Sequence, residues 1–212
     1  MKPCMTGCKE LFREVESSLF ANLTKAHNSK SLAGRPRGTR RHLATIGTQA
    51  GCRLNLTLER ESISMQIIFT KGSGKYDTMD VVRAGADVES IQCPKQGIIP
   101  HDMVHYCVES TLQKRGFLGR VRDGEAANFQ MQAEAESDSI ERLVEVIQGD
   151  AWSGGNCKPE DMLDLYRVTC NARECLSLAI TEADIESIRK SVAGLSRQWD
   201  TLAVGSTLVI EF

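Results

Sequence analysis

The sequence lacks the features that mark membrane, secreted and disulfide-stabilised proteins. No stretch approaches the ~18 consecutive apolar residues needed to cross a bilayer, and the N-terminus has no apolar block of the kind found in secretory signal peptides. The eight cysteines are scattered and form no Cys-x-x-Cys pair, which indicates free thiols in a reducing compartment. These absences predict a cytoplasmic protein with no membrane partner.

Acidic residues are scarce in the first part of the chain. Residues 1–64 contain no aspartate and carry 11 Lys/Arg against 5 Asp/Glu, whereas residues 65–212 carry 15 against 23. So sharp a change in charge predicts a domain boundary. We expect residues 1–64 to be a disordered or non-native upstream extension, and residues 65–212 to form a single α+β domain. Met65 is the expected start, because a strand-like run begins there.

The basic N-terminal segment leaves two other interpretations open. Residues 34–38 (GRPRG) resemble part of an AT-hook, a motif that binds the minor groove of DNA, although Ala33 stands where an arginine should precede the glycine. An acid-poor segment rich in Arg and Ser is also typical of an organelle transit peptide. Nucleic-acid binding is therefore an alternative function, but the acidic balance of residues 65–212 argues against nucleic acid as a partner.

Hydrophobic periodicity and turn signals predict the elements of the domain. We expect strands at 65–70, 78–82, 88–93 and 207–212, with the first and last in one sheet. Helices are expected at 100–114, at about 138–148, after Pro159 and at 181–202, with a loop at 120–136. The predicted class is α+β, in which a small antiparallel sheet is covered by about four helices.

Several helix ends have recognisable signatures. Gly116 is expected to cap the helix at 100–114 in the left-handed conformation. Asp138 and Glu141 resemble a capping box that begins the second helix, and Gly149 is expected to end it.

The last helix has the clearest pattern. Thr181 and Asp184 resemble a capping box. The apolar positions then follow at helical spacing and predict a buried stripe, which consists of Ile185, Ile188, Val192, Leu195, Trp199 and Leu202.

The candidate functional residues lie on the helix at 100–114. His101, His105 and Glu109 recur every fourth residue and therefore line one face, beside the face that carries Val104 and Val108. This row could be ordered by the core and still be reached from solvent.

His101-Asp102-x-x-His105 has the form of the zincin motif HExxH with Asp in place of Glu. Two imidazoles one turn apart can hold zinc or another divalent metal, and Asp102 would be the catalytic base. Glu109 is a doubtful third ligand, because its Cα lies ~9 Å along the axis from the midpoint of the histidines. The third ligand therefore stays open, with Asp123, Glu125 and Cys93 among the candidates.

Two interpretations without metal also stay open. His105 and Glu109 could form a structural pair across one helical turn, or the row could bind a ligand directly, with Glu109 and Tyr106 as binding residues. We therefore expect a polar site used for binding or regulation, with a metal-dependent hydrolase as the alternative. The sequence names no particular partner.

The row also carries a resemblance to a known group of proteins. The pattern PHDxxHYxVE at residues 100–109, followed by GFxG at 116–119, resembles a family of short bacterial proteins of unknown function. The resemblance extends to the C-terminal pattern formed by Trp199, Leu202, Gly205, Leu208, Ile210 and Phe212. It covers residues 65–212 and implies a bacterial source and a start at Met65, but no mechanism.

Overall fold

The computed structural model describes residues 64–127 and 134–212. The predictions for the basic N-terminal segment, including the AT-hook-like residues 34–38, lie outside these ranges. The described residues form an α+β fold, as predicted, with a four-stranded antiparallel sheet and five helices. The elements in chain order are β1 (Met65–Thr70), β2 (Tyr76–Arg83), β3 (Glu89–Pro94), α1 (His101–Leu112), α2 (Phe117–Arg122), α3 (Ala135–Trp152), α4 (Pro159–Ala172), α5 (Glu182–Thr201) and β4 (Thr207–Glu211).

The sheet has the strand order β3-β2-β1-β4. The predicted pairing of the first and last strands is confirmed, because β1 and β4 are antiparallel neighbours with Ile67 opposite Ile210. Alternate residues of β1, namely Met65, Ile67 and Phe69, are fully buried. This two-residue period places one face of the sheet against the helices.

Helix α1 is central to the helical layer, since it packs against α2, α3 and α5. Its apolar residues Met103, Val104, Cys107 and Val108 are completely buried. Packing against three helices fixes the position of α1 in the core, and therefore also the positions from which its polar residues extend.

The pattern predicted for the last helix is confirmed in α5. Thr181 and Asp184 form a reciprocal capping box, in which the Thr181 side chain accepts from the Asp184 amide and the Asp184 carboxylate accepts from the Thr181 amide. Four members of the stripe are buried and the other two are partly buried against the core: Ile185, Ile188, Val192 and Trp199, then Leu195 and Leu202.

The boundaries predicted for the second helix are wrong. Helix α3 begins at Ala135, three residues before Asp138, and continues through Gly149 to Trp152. Glycine in a helix interior costs only about 1 kcal/mol, which the packing of a largely buried helix offsets. The capping box expected at Asp138 and Glu141 is also wrong, since Glu141 lies in the second turn of α3.

Two further details differ from expectation around the end of α1. The left-handed cap is Gln113, with φ of 52°, and not Gly116. Part of the loop expected at 120–136 is helical, because residues 117–122 form α2 and α3 begins at Ala135. None of the helices in the described ranges combines the length and the apolar composition needed to cross a membrane.

Candidate metal centre

The histidine row of α1 meets a carboxylate from α3. His101 and His105 are one turn apart, so both imidazoles leave α1 in the same direction. Glu141 projects from the second turn of α3, which lies alongside α1. Among the described residues, the one group of histidine, cysteine and acidic side chains close enough to share a metal ion is His101, His105 and Glu141.

The donor atoms of this cluster lie close enough to share a metal ion, since one atom from each residue can be chosen so that all three lie within 4.8 Å of one another. The Nε2 atoms of His101 and His105 are 3.2 Å apart. The Glu141 carboxylate places Oε2 3.0 Å from His105 Nε2 and Oε1 3.5 Å from His101 Nε2. Zinc holds nitrogen and oxygen ligands at about 2.0–2.1 Å, and tetrahedral ligand atoms at that range lie about 3.3 Å from one another.

The cluster is buried on one side and open on the other. The His105 side chain is 3% exposed, whereas those of His101 and Glu141 are 29% and 35% exposed. Three protein ligands with one side facing solvent leave a position for water or a small ligand, which distinguishes reactive zinc sites from closed structural ones.

A buried glutamine orients His101. The Nδ1 atom of His101 lies 3.0 Å from Oε1 of Gln148, a residue of α3 that lies two turns beyond Glu141. Gln148 in turn donates to the side chain of Gln96, whose backbone carbonyl accepts from the Trp152 indole at 2.9 Å. An amide oxygen at Nδ1 selects the tautomer protonated there, which leaves the Nε2 lone pair free for a cation.

A buried carboxylate lies behind His105. Glu109, which is 1% exposed, accepts hydrogen bonds from the backbone amides of Gly116, Leu118 and Gly119 at 2.9, 2.9 and 2.8 Å. Its Oε1 also lies 3.3 Å from His105 Nδ1. Glu109 is thus behind the cluster and not among the donors that meet at its centre.

The two carboxylates control the charge of His105. Burial lowers the pKa of this imidazole, but the adjacent carboxylates of Glu141 and Glu109 outweigh burial and raise the pKa to about 10. Burial likewise raises the pKa of Glu141, yet the two histidines outweigh burial and hold it well below its usual value. The cluster is therefore an environment that stabilises positive charge between the imidazoles and the carboxylate.

Asp102 does not lie with the two histidines that flank it in sequence. Its carboxylate accepts a hydrogen bond from the Cys93 thiol of β3 at 3.3 Å. Burial and the adjacent Asp102 raise the pKa of Cys93, so the thiol stays protonated and donates. A residue that follows His101 by one position is rotated by about 100° around the helix, which explains why Asp102 faces the sheet.

The other residues considered as ligands have different partners. Asp123 and Glu125 form ion pairs with Arg115 and Arg120, and Cys93 pairs with Asp102 as described above. Tyr106 packs its ring against Phe212 near the C-terminus, with 6.1 Å between ring centroids. None of these five acidic, thiol and phenol side chains belongs to the cluster of His101, His105 and Glu141.

Sequence reasoning missed Glu141, although a signal for it was present. Glu141 directly follows Ile140 and precedes Leu143, so it lies at the border of the apolar stripe of α3. A carboxylate at that border is positioned to reach a neighbouring helix. Its distance of 36 residues from His105 in sequence concealed the partnership.

Comparison of the chain with known protein families, curated proteins and solved structures gives no match. The cluster itself therefore carries the functional argument.

Proposed function

We propose that this protein binds one divalent metal ion, zinc or a chemically similar ion, through His101, His105 and Glu141. The observation that carries the proposal is the convergence of two Nε2 atoms, 3.2 Å apart, on one carboxylate, whose Oε2 lies 3.0 Å from His105 Nε2 and whose Oε1 lies 3.5 Å from His101 Nε2. These distances fit ligands around one ion, and they join two helices that are far apart in sequence.

The chemistry of the donors supports a cation at this point. When Gln148 holds the Nδ1 proton of His101, the Nε2 atom presents a lone pair towards His105 and Glu141. Without a metal, the raised pKa of His105 keeps this imidazole protonated, and its Nε2 proton lies between His101 Nε2 and the Glu141 carboxylate. A metal ion replaces that proton and binds all three donors at once.

The cluster is partly open to solvent, and this favours a metal that binds a further ligand over a purely structural metal. The general base that a zincin-like hydrolase needs is not supplied by Asp102, which pairs with Cys93. We therefore propose metal-dependent ligand binding as the primary function, with hydrolysis as an alternative that needs another base. A cytoplasmic location is part of the same proposal, because Cys93, Cys107, Cys170 and Cys175 are free thiols.

Zinc titration of the purified metal-free protein tests the proposal. We expect about one ion per chain, and we expect His101→Ala, His105→Ala and Glu141→Ala each to weaken binding by at least about 100-fold, because two remaining ligands rarely hold a divalent ion. Glu136→Gln is the matched control. It removes another carboxylate of α3, one that pairs with Lys114 at the surface, and should leave zinc affinity unchanged.

Two results would contradict the proposal. The first is wild-type protein that takes up no zinc, cobalt or manganese at micromolar concentration and neutral pH. The second is uptake that survives all three alanine variants. In either case the cluster would be a structural network of imidazoles and carboxylates. The three variants would then lower the stability of the fold without any effect on metal binding.

A further inference from the structure

We infer that Glu109 is a positioning residue of this metal centre, which accepts the Nδ1 proton of His105 and thereby directs His105 Nε2 to the metal. This inference rests on the proposed function and adds a residue outside the ligand set. Its starting point is a buried atom without a hydrogen bond: among the described residues, His105 Nδ1 is the one enclosed side-chain nitrogen or oxygen that makes none.

The contacts of Glu109 leave one place for that proton. Oε2 accepts from the amides of Gly116 and Gly119, and Oε1 accepts from the amide of Leu118. A carboxylate offers about four acceptor positions, two on each oxygen. The fourth position is on Oε1, which lies 3.3 Å from His105 Nδ1, so a protonated Nδ1 would complete the set.

The backbone around Glu109 is shaped to hold the carboxylate in place. A Cβ added at Gly116 would lie 2.7 Å from Glu109 Cδ and 2.6 Å from Ile140 Cγ2, and one added at Gly119 would lie 3.4 Å from Glu109 Oε2. Only glycine at position 116 lets the chain approach the carboxylate this closely. The amides of Gly116, Leu118 and Gly119 thus hold the Glu109 carboxylate in place, and the missing side chain at Gly116 allows this close approach.

The buried carboxylate of Glu109 is positioned to interact with the proposed metal ligand His105. The carboxylate is 1% exposed, and its ion-pair partner among the described side chains is His105. A buried carboxylate at Nδ1 selects the Nδ1-protonated tautomer and makes Nε2 a stronger ligand, as in carboxylate–histidine–zinc arrangements. Gln148 has the same relation to His101, so both imidazoles present Nε2 to the same point.

Zinc affinity of Glu109→Gln tests the inference. Gln has one acceptor oxygen where Glu has two, so the amides and His105 Nδ1 can no longer all be satisfied. We expect zinc affinity to fall roughly 10- to 100-fold, as for other residues that orient metal ligands. The control is Asp150→Asn, which alters another buried carboxylate, held by Arg189 at 2.8 Å and by the Cys157 amide at 3.1 Å.

Both variants should lower the temperature of unfolding, but only Glu109→Gln should lower zinc affinity. Equal zinc affinity in Glu109→Gln and wild type would overturn the inference while leaving the proposed function intact. Wild-type protein that binds no zinc would instead remove the metal centre, and the inference with it.

A measurement on the wild-type chain settles the case in which Glu109→Gln does not fold. Nitrogen NMR of zinc-loaded protein labelled with ¹⁵N-histidine reports each ring nitrogen of His105 separately. We expect a protonated Nδ1 and a metal-bound Nε2. A metal-bound Nδ1, or zinc bound without either nitrogen of His105, would show that Glu109 does not direct this ligand.

Discussion

At the scale of single residues, α1 combines fully buried apolar side chains with two buried polar ones. His105 is 2% exposed and Glu109 is 1% exposed. A buried carboxylate without partners would cost several kcal/mol. Glu109 avoids this cost through three backbone amides and the adjacent imidazole. The polar residues of α1 are therefore compatible with the core only because residues 116–119 and α3 provide their partners.

Trp199 provides a test of packing at the same scale. It belongs to the apolar stripe of α5 and is 4% exposed. Trp199→Ala should lower the free energy of unfolding by about 3–5 kcal/mol, because deletion of a large aromatic side chain leaves a cavity. Chemical denaturation followed by circular dichroism measures this change.

Leu176→Ala is the control for Trp199→Ala. Leu176 is 76% exposed, so the unfolding free energy of this variant should stay within about 0.5 kcal/mol of wild type. A small effect of Trp199→Ala, comparable to that of the control, would mean that the stripe is not part of the core.

At the scale of elements, two glycines should respond to the same substitution with opposite signs. Gly116→Ala places a Cβ against Glu109 and Ile140, so we expect lower stability and weaker zinc binding. Gly194 lies within α5 and a Cβ there meets nothing within 4 Å. Gly194→Ala should therefore stabilise the protein by about 0.4–1 kcal/mol, through the lower entropy of the unfolded chain.

Thermal unfolding with and without zinc compares the two variants. A stabilising Gly116→Ala, or a destabilising Gly194→Ala, would contradict the packing described around α1 and α5. The contrast matters because it separates the intrinsic effect of glycine in a chain from the close approach that position 116 requires.

At the scale of the whole molecule, the composition of the chain predicts that residues 65–212 fold without residues 1–64. The change in charge at this boundary and the strand that begins at Met65 motivate the prediction. The β1–β4 pairing agrees with it, because the strands at the two ends of this range are neighbours in one sheet. The temperatures of unfolding of the shortened and full chains should agree within a few degrees, as measured by calorimetry. Aggregation or loss of cooperative unfolding in the shortened chain would show that the N-terminal segment contributes to the core.

Elements with a local signal could be predicted from the sequence. A run of strand-favouring residues ended by turn residues predicted β1, the similar character of the last run predicted its pairing with β4, and the capping box with its regular stripe predicted α5. Strand propensity, turn residues and the 3.6-residue period of helices are properties of short segments, so they can be recognised without knowledge of tertiary contacts. The spacing of His101 and His105 on one helical face was local information of the same kind.

The carboxylate that meets the histidines could be identified only from the packing of the helices. Asp102 is adjacent to His101 in sequence, but the helical rotation of about 100° per residue turns it to Cys93 on β3. Glu141 is far away in sequence, but the packing of α3 on α1 brings its oxygens within 3.0 and 3.5 Å of the two Nε2 atoms. The packing of one helix on another depends on the whole core, and for that reason the position of a ligand from a second helix could not be read from the local pattern of either one.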